Sequence, residues 1–272
     1  MLSHVKSLFP VRLKDMVKNI LRSLNNNPCG LPRDLKFLYN KNRFEKVKIK
    51  LCGKDFYLPD STSFIHMYKD IFFRDIYRFE SKCTRPLIID VGANIGLSLV
   101  YFKNIFPESR ILAFEPDPEI FEYLQKNIMS LDNIELINKG VYDEAMEIDF
   151  VSDHADGGSI FQNSKDKIKI ETCLLSDFLT EKVDFLKIDI EGAETKVLRE
   201  CKDKLINVDN LFIEYHSFEL SNQTLHEILE IITSAGFRYY ISDVPLTSIN
   251  PFMNVSKVNN MDMQINISCI RN

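Results

Sequence analysis

Residues 86–118 read PLIIDVGANIGLSLVYFKNIFPESRILAFEPDP, and this stretch decides the fold. Pro86 to Val91 is a short apolar run of the kind that forms a strand buried on both faces. An acidic glycine turn, Asp90-Val91-Gly92-Ala93-Asn94-Ile95-Gly96, follows it. Leu97 to Phe106 then reads as a helix that stops before Pro107. Arg110 to Phe114 is a second strand ending at Glu115, after which Asp117 caps a new helix with Pro118 at its first position. A strand, helix and strand of this length close right-handedly into a parallel pair.

The same alternation runs outward from that unit. Ile120, Phe121, Leu124 and Ile128 line one face of the next helix, and Ile134–Ile137 is a third strand. Met146–Val151 and Lys167–Thr172 alternate at period two around Gly157-Gly158 and read as a hairpin-like insertion. Val183–Ile188 is a fourth core strand, followed by a helix over Ala193–Lys204, and Val208–Tyr215 is a fifth strand. Ser221 is read as the cap of a helix stopping at Gly236, with Phe237–Ile241 and Gln264–Ile270 as last strands. The pattern predicts an α/β chain with helices on both faces of a parallel sheet.

In such a sheet, ligands bind beyond the carboxyl ends of the strands, so the residues there carry the chemistry. The Gly92-x-x-x-Gly96 spacing lets backbone approach a ligand at a helix N-terminus, but it is not the GxGxxG of dinucleotide sites. Asp90 would oppose a pyrophosphate and suits a ligand with an ammonium group, such as S-adenosylmethionine (SAM). Glu115, ending the neighbouring strand, suits the two hydroxyls of a ribose.

The runs IIDVGANIGLSLVYFK, FPESRILAFEPDPEIFEYLQKNI and VDFLKIDIEGAETKVL resemble the FkbM family of SAM-dependent methyltransferases, over roughly residues 61–243. The resemblance implies a class I SAM-methyltransferase (Rossmann-like) sheet of seven strands with the last antiparallel, here with an N-terminal helical cap. It implies SAM as methyl donor and, most often, an oxygen as acceptor. Carried over by position, Asp90, Gly92, Asn94 and Gly96 hold the methionine part and Glu115 the ribose. Asn138, Gly140 and Val141 correspond to the adenine-side loop.

Two further strand ends are acidic. Lys187-Ile188-Asp189-Ile190-Glu191-Gly192-Ala193-Glu194 lacks the Asn-Pro-Pro-aromatic motif of many nitrogen methyltransferases. Its carboxylates suit hydroxyl chemistry, in which a proton must leave an alcohol. Asp189 and Glu191 are expected in the cleft, and Glu194 is expected as a first-turn acid complementing the helix dipole. Glu214 and His216 alternate around Tyr215 and point to one side of their strand. The expected catalytic set is His216, as a largely neutral base, with Asp189 and Glu191. Alternatively, Asp189 and Glu214 hold a Mg²⁺-like ion. The acceptor expected from the resemblance is a sugar hydroxyl on a glycan, glycolipid or glycosylated metabolite. A peptide or small-metabolite methyltransferase and a non-catalytic SAM-binding protein are the rival readings.

Composition bounds the rest. The 272 residues carry 45% hydrophobic residues and a net charge of −5, enough for a core and no attraction for nucleic acid. Only nine are glycine, so the glycines in residues 90–96 have a backbone purpose. The six cysteines show no CxxC spacing and no apolar run reaches membrane-spanning length, which suggests a cytoplasmic protein. Residues 11–24 read as a basic amphipathic helix, packed on the main domain, on a second copy in a homodimer, or weakly on an anionic membrane. The chain therefore divides into a helix and cap segment over 1–84 and a methyltransferase domain over 85–272.

Overall fold

The computed structural model describes residues 30–152, 158, 167–243, 252–255, 257–258 and 260–271. The amphipathic helix expected over 11–24 lies outside them, as does Gly157.

The cap begins with a short 3-10 helix, Arg33–Asn40, and a hairpin of β1 (Val47–Leu51) and β2 (Lys54–Leu58). Its two-residue turn, Cys52-Gly53, is left-handed at both positions, as a type I′ hairpin requires. Helix α1 (Ser61–Tyr68) starts after Asp60, whose carboxylate accepts from Ser63 N–H at 3.0 Å and caps it. It widens into a π-turn over Lys69–Phe73 and ends ahead of Asp75, whose φ of 65° is left-handed.

The main sheet comprises β3 (Leu87–Val91), β4 (Arg110–Phe114) and β5 (Ile134–Ile137), then β9 (Val183–Ile188), β10 (Val208–Phe218), β11 (Arg238–Asp243) and β12 (Met261–Ile270). Its order is β5-β4-β3-β9-β10-β12-β11, parallel except for β12, which pairs antiparallel with β10 and β11. This is the class I methyltransferase sheet. Strand alternation sorts the core between two faces. Ile88, Phe185 and Phe212 face α2 (Leu97–Ile105), α3 (Pro118–Ile128) and the cap. Ile89, Leu186 and Ile213 face α4 (Glu194–Cys201) and α5 (Leu225–Ser234).

The insertion after β5 is a hairpin, as its alternation suggests: β7 (Glu147–Val151) pairs antiparallel with β8 (Lys167–Leu174). Strand β6 (Gly140–Tyr142), too short to show a period, joins β8 in parallel and completes a three-stranded sheet. Helix α5 starts after Thr224, not at Ser221, because Thr224 N–H donates to Tyr215 Oη at 2.9 Å and fixes the turn there. Among the described residues, no helix is long and apolar enough to cross a membrane.

Candidate active site

The carboxyl ends of β3, β4, β9 and β10 open into one cavity of about 730 Å³, roofed partly by α1 and its π-turn. On the β3 side the backbone is held tightly. Gly92 (φ 90°) and Ala93 donate N–H bonds to the Phe114 carbonyl at 3.0 and 2.9 Å. A Cβ at Gly92 would sit 1.9 Å from the Asp189 carbonyl oxygen, so only glycine lets these two loops meet. Gly96 (φ 86°) caps α2, and Asn94 (φ 49°) donates its N–H to Glu115 Oε2 at 2.9 Å.

Glu115 is buried at the end of β4, and its other oxygen accepts from Asp117 N–H at 3.0 Å. Burial pushes its carboxyl up to about 8, reinforced by the Asp117 charge and partly offset by the two N–H donors. Each oxygen accepts one backbone bond and keeps capacity for a further donor.

Lys187 is a site residue that the sequence reading passed over. It sits opposite Asp90 in the β3–β9 register, and only 3% of its side chain is exposed. Its ammonium lies 3.2 Å from Asp90 Oδ1 and 3.2 Å from Asp189 Oδ2, and it donates to the Gly92 carbonyl at 2.7 Å. Burial would depress its pKa, but Asp189 and Asp90 outweigh that and hold it above the ordinary lysine value. The available signal was one basic residue inside an otherwise buried strand, which must have a partner.

The wall at the ends of β9 and β10 is acidic. Asp189, Glu191 and Glu214 line the cavity, and Glu191 (φ 53°) and Gly192 (φ 106°) form a left-handed pair that turns the chain there. Glu194 is the first-turn acid of α4, as expected, and its burial adds a second role. It is fully buried, accepts from Gly192 N–H at 2.9 Å and lies 2.9 Å from His216 Nδ1. His216 sits behind the wall with no exposed side-chain surface. Its Nε2 lies 3.8 Å from Glu191 and 4.0 Å from each of Asp189 and Glu214, with the Gln264 amide at 3.4 Å.

This setting corrects the reading of His216 as a largely neutral base. Burial would lower its pKa, but Glu191, Glu194 and Glu214 together hold it well above the ordinary histidine value. Burial likewise pushes Glu191 up to about 8, and burial with the Asp189 charge pushes Glu214 up to about 7. One ligand atom each from Asp189, Glu191 and His216 lie within 4.8 Å of one another. Glu214, paired with Asp189 in the sequence reading of a metal site, is not in that trio.

Of the remaining sequence-derived residues, Gly92, Asn94, Gly140 and Val141 line the cavity with Glu115. Asp90, Gly96 and Asn138 do not. Asp90 is fully buried beneath the turn, where Ser98 Oγ donates to it. Asn138 Nδ2 donates to the carbonyls of Glu115 and Pro116 at 2.8 and 3.2 Å and so ties two strand ends together. The hairpin adds Ile148, Phe150 and Ile170 to the wall, none of which could be placed from local pattern.

The chain is similar to several known proteins. Methyltransferase 1 of Beauveria bassiana is 30% identical over 205 residues, which cover 64% of this chain and 80% of that protein. The 2-O-methyltransferase NoeI of Sinorhizobium fredii is 28% identical over 174 residues, 55% of this chain and 72% of its own. Among solved structures, an FkbM methyltransferase of Methylobacillus flagellatus is 16% identical with a TM-score of 0.47, covering 93% of this chain and 60% of that chain. The model of the methyltransferase FkbM domain matches residues 90–239, from the acid beneath the glycine turn to the start of β11. That match takes in more than half of the sequence, and the chain belongs to the FkbM methyltransferase family.

Proposed function

We propose that the chain is a SAM-dependent O-methyltransferase whose acceptor is a sugar hydroxyl on a glycan, glycolipid or glycosylated metabolite. One observation carries the reading. Three carboxyl groups, Asp189, Glu191 and Glu214, converge on one cavity wall around buried His216, in the cavity that also holds Glu115 and the glycine turn. Two relatives support the reading by name: the 2-O-methyltransferase NoeI for an oxygen acceptor, and the hexuronic acid methyltransferase AglP of Haloferax volcanii, 27% identical over 135 residues, 47% of this chain and 55% of its own, for a sugar.

The residues fit SAM. Glu115 has acceptor capacity for a ribose diol, and the acidic wall suits a ligand bearing positive charge. Gly92 and Asn94, braced from below by Asp90, would hold the methionine part. Gly140 and Val141, with Asn138 fixing their approach, would flank the adenine. When bound, SAM supplies a methyl group on a positively charged sulfur.

The chain must align the hydroxyl for in-line transfer and take its proton, since an alcohol holds that proton far above neutral pH. Asp189, the most open of the three acids at 25% side-chain exposure, receives it. Lys187 fixes one Asp189 oxygen, and His216 holds the acids together from behind as a positioning residue.

The test is release of S-adenosylhomocysteine from SAM across a glycoside panel. Asp189→Asn should lower kcat by ~10²–10⁴-fold, the weight of a general base, with SAM affinity retained. The trio of Asp189, Glu191 and His216 makes metal assistance the second reading. If chelation abolishes turnover and Mg²⁺ or Mn²⁺ restores it, the proton assignment fails and the metal reading replaces it.

A further inference from the structure

The cavity is polarised by depth. Most of its acids lie low: Glu115 and Asp117 are buried, and Asp189, Glu191 and Glu214 expose a quarter of their side chains or less, while Asp70, 26% exposed on the π-turn, is an acid at the mouth. Its most exposed charged members are basic, with Arg43 and Arg74 about half exposed at 50% and 51% and Lys139 at 42%.

Three of the mouth's basic groups come from one element. His66 is on α1, Lys69 opens the π-turn and Arg74 closes it, its N–H donating to the Lys69 carbonyl at 2.8 Å. A π-turn adds a residue to the helical circuit and re-aims the side chains around it, which is why such turns recur at functional sites. Arg74 pairs with Asp70 at 2.7 Å. Lys69 lies over the Tyr39 ring at 5.5 Å, and among the described residues no carboxylate is within ion-pair reach of it. Next to these groups, Met67, Ile76 and Tyr77 give the cavity an apolar wall on which the C–H face of a sugar ring can lie.

From this we propose that the acceptor is an anionic saccharide, whose carboxylate or phosphate docks on Lys69, Arg74 and His66 while its hydroxyl reaches the acids below. The proposal rests on the O-methyltransferase reading and narrows its substrate class. The depth gradient gives it a physical basis, because the carboxyl groups of the floor offer an anionic group no partner while the mouth offers cations. That field orients the sugar with an uncharged hydroxyl inward. Arginine and lysine at the mouth also match carboxylate and phosphate as hydrogen-bond acceptors.

The experiment is calorimetry on the full chain saturated with S-adenosylhomocysteine. The probes are 4-nitrophenyl glucuronide against 4-nitrophenyl glucoside, and glucose 6-phosphate against glucose. The wild type should bind at least one anionic probe ~10-fold or more tighter than its neutral partner, the scale of a charged hydrogen bond. In the Lys69→Gln/Arg74→Gln variant that preference should fall to within ~3-fold, with S-adenosylhomocysteine affinity unchanged as the check on folding. The two pairs separate a carboxylate from a phosphate as the anion. Equal binding within both pairs, no binding of either anionic probe, or a preference that survives in the variant would each overturn the proposal. Methyl transfer to neutral glycosides alone would also overturn it while leaving the O-methyltransferase reading intact. Anionic probes that bind as expected but are never methylated would keep the mouth site and count against that reading.

Discussion

Glu115 shows how one side chain joins fold and ligand. Its oxygens anchor two backbone N–H groups, from Asn94 and Asp117, and so shape the loops beside the cavity as well as lining it. Glu115→Ala should weaken SAM binding by roughly 1.5–3 kcal/mol, the range for hydrogen bonds to a charged group. Calorimetry on the variant, with a melting curve to show that it is folded, checks this; unchanged affinity would remove the ribose role. The position of Glu115 was legible because it ends a strand one crossover after Asp90, and strand ends are where ligands sit. Asp90 was legible for the same reason, but its partner was not. Lys187 is 97 residues away in the chain from Asp90, and only the β3–β9 register puts them side by side. The burial of Glu194 and the charge on His216 were hidden for the same kind of reason. Both depend on which acids the fold packs around one imidazole, and no spacing along the chain encodes that.

Among the elements, the strands were read best, because Val183–Ile188 and Ile134–Ile137 are apolar runs bounded by turn residues. The ends of helices were read worst, since they follow tertiary contacts. Tyr215 fixes the start of α5, and the left-handed Asp75 follows the π-turn after α1. The β3–α2 turn makes a sharper demand. Gly92→Ala would place a methyl group against the Asp189 carbonyl at a φ of 90°, where backbone strain alone costs ~1–3 kcal/mol. The variant should show a lower Tm and lose SAM affinity and turnover together. A protein that melts normally but has lost only one of these functions would show that the two loops are not mechanically joined.

The whole molecule stores its charge in an unusual way. Glu115 and Glu191 are pushed up to about 8 and Glu214 to about 7, from an ordinary glutamate value of 4.5, while His216 is held well above 6.5. The folded chain therefore holds protons that the unfolded chain releases, and stability falls as pH rises wherever that is so. The glutamates lose stability from about pH 5 up to about pH 8, and the histidine contribution, complete below its unfolded value, fades as pH climbs through its folded one. The Tm of the ligand-free protein should decline across this window in a melting series, and SAM should flatten the decline by bringing positive charge to the acids. A Tm that stays level or rises would contradict the charge assignment. The contact between Gly92 and Asp189 has a consequence at this scale too. The glycine turn and the loop of Asp189, the proposed proton acceptor, share one rigid mount, whereas the mouth belongs to α1 and its π-turn. On the proposed reading such a machine separates its workbench from its gauge: rewriting a dozen residues around 61–74 should retarget it to a new acceptor while the bond-making geometry stays as it was cast.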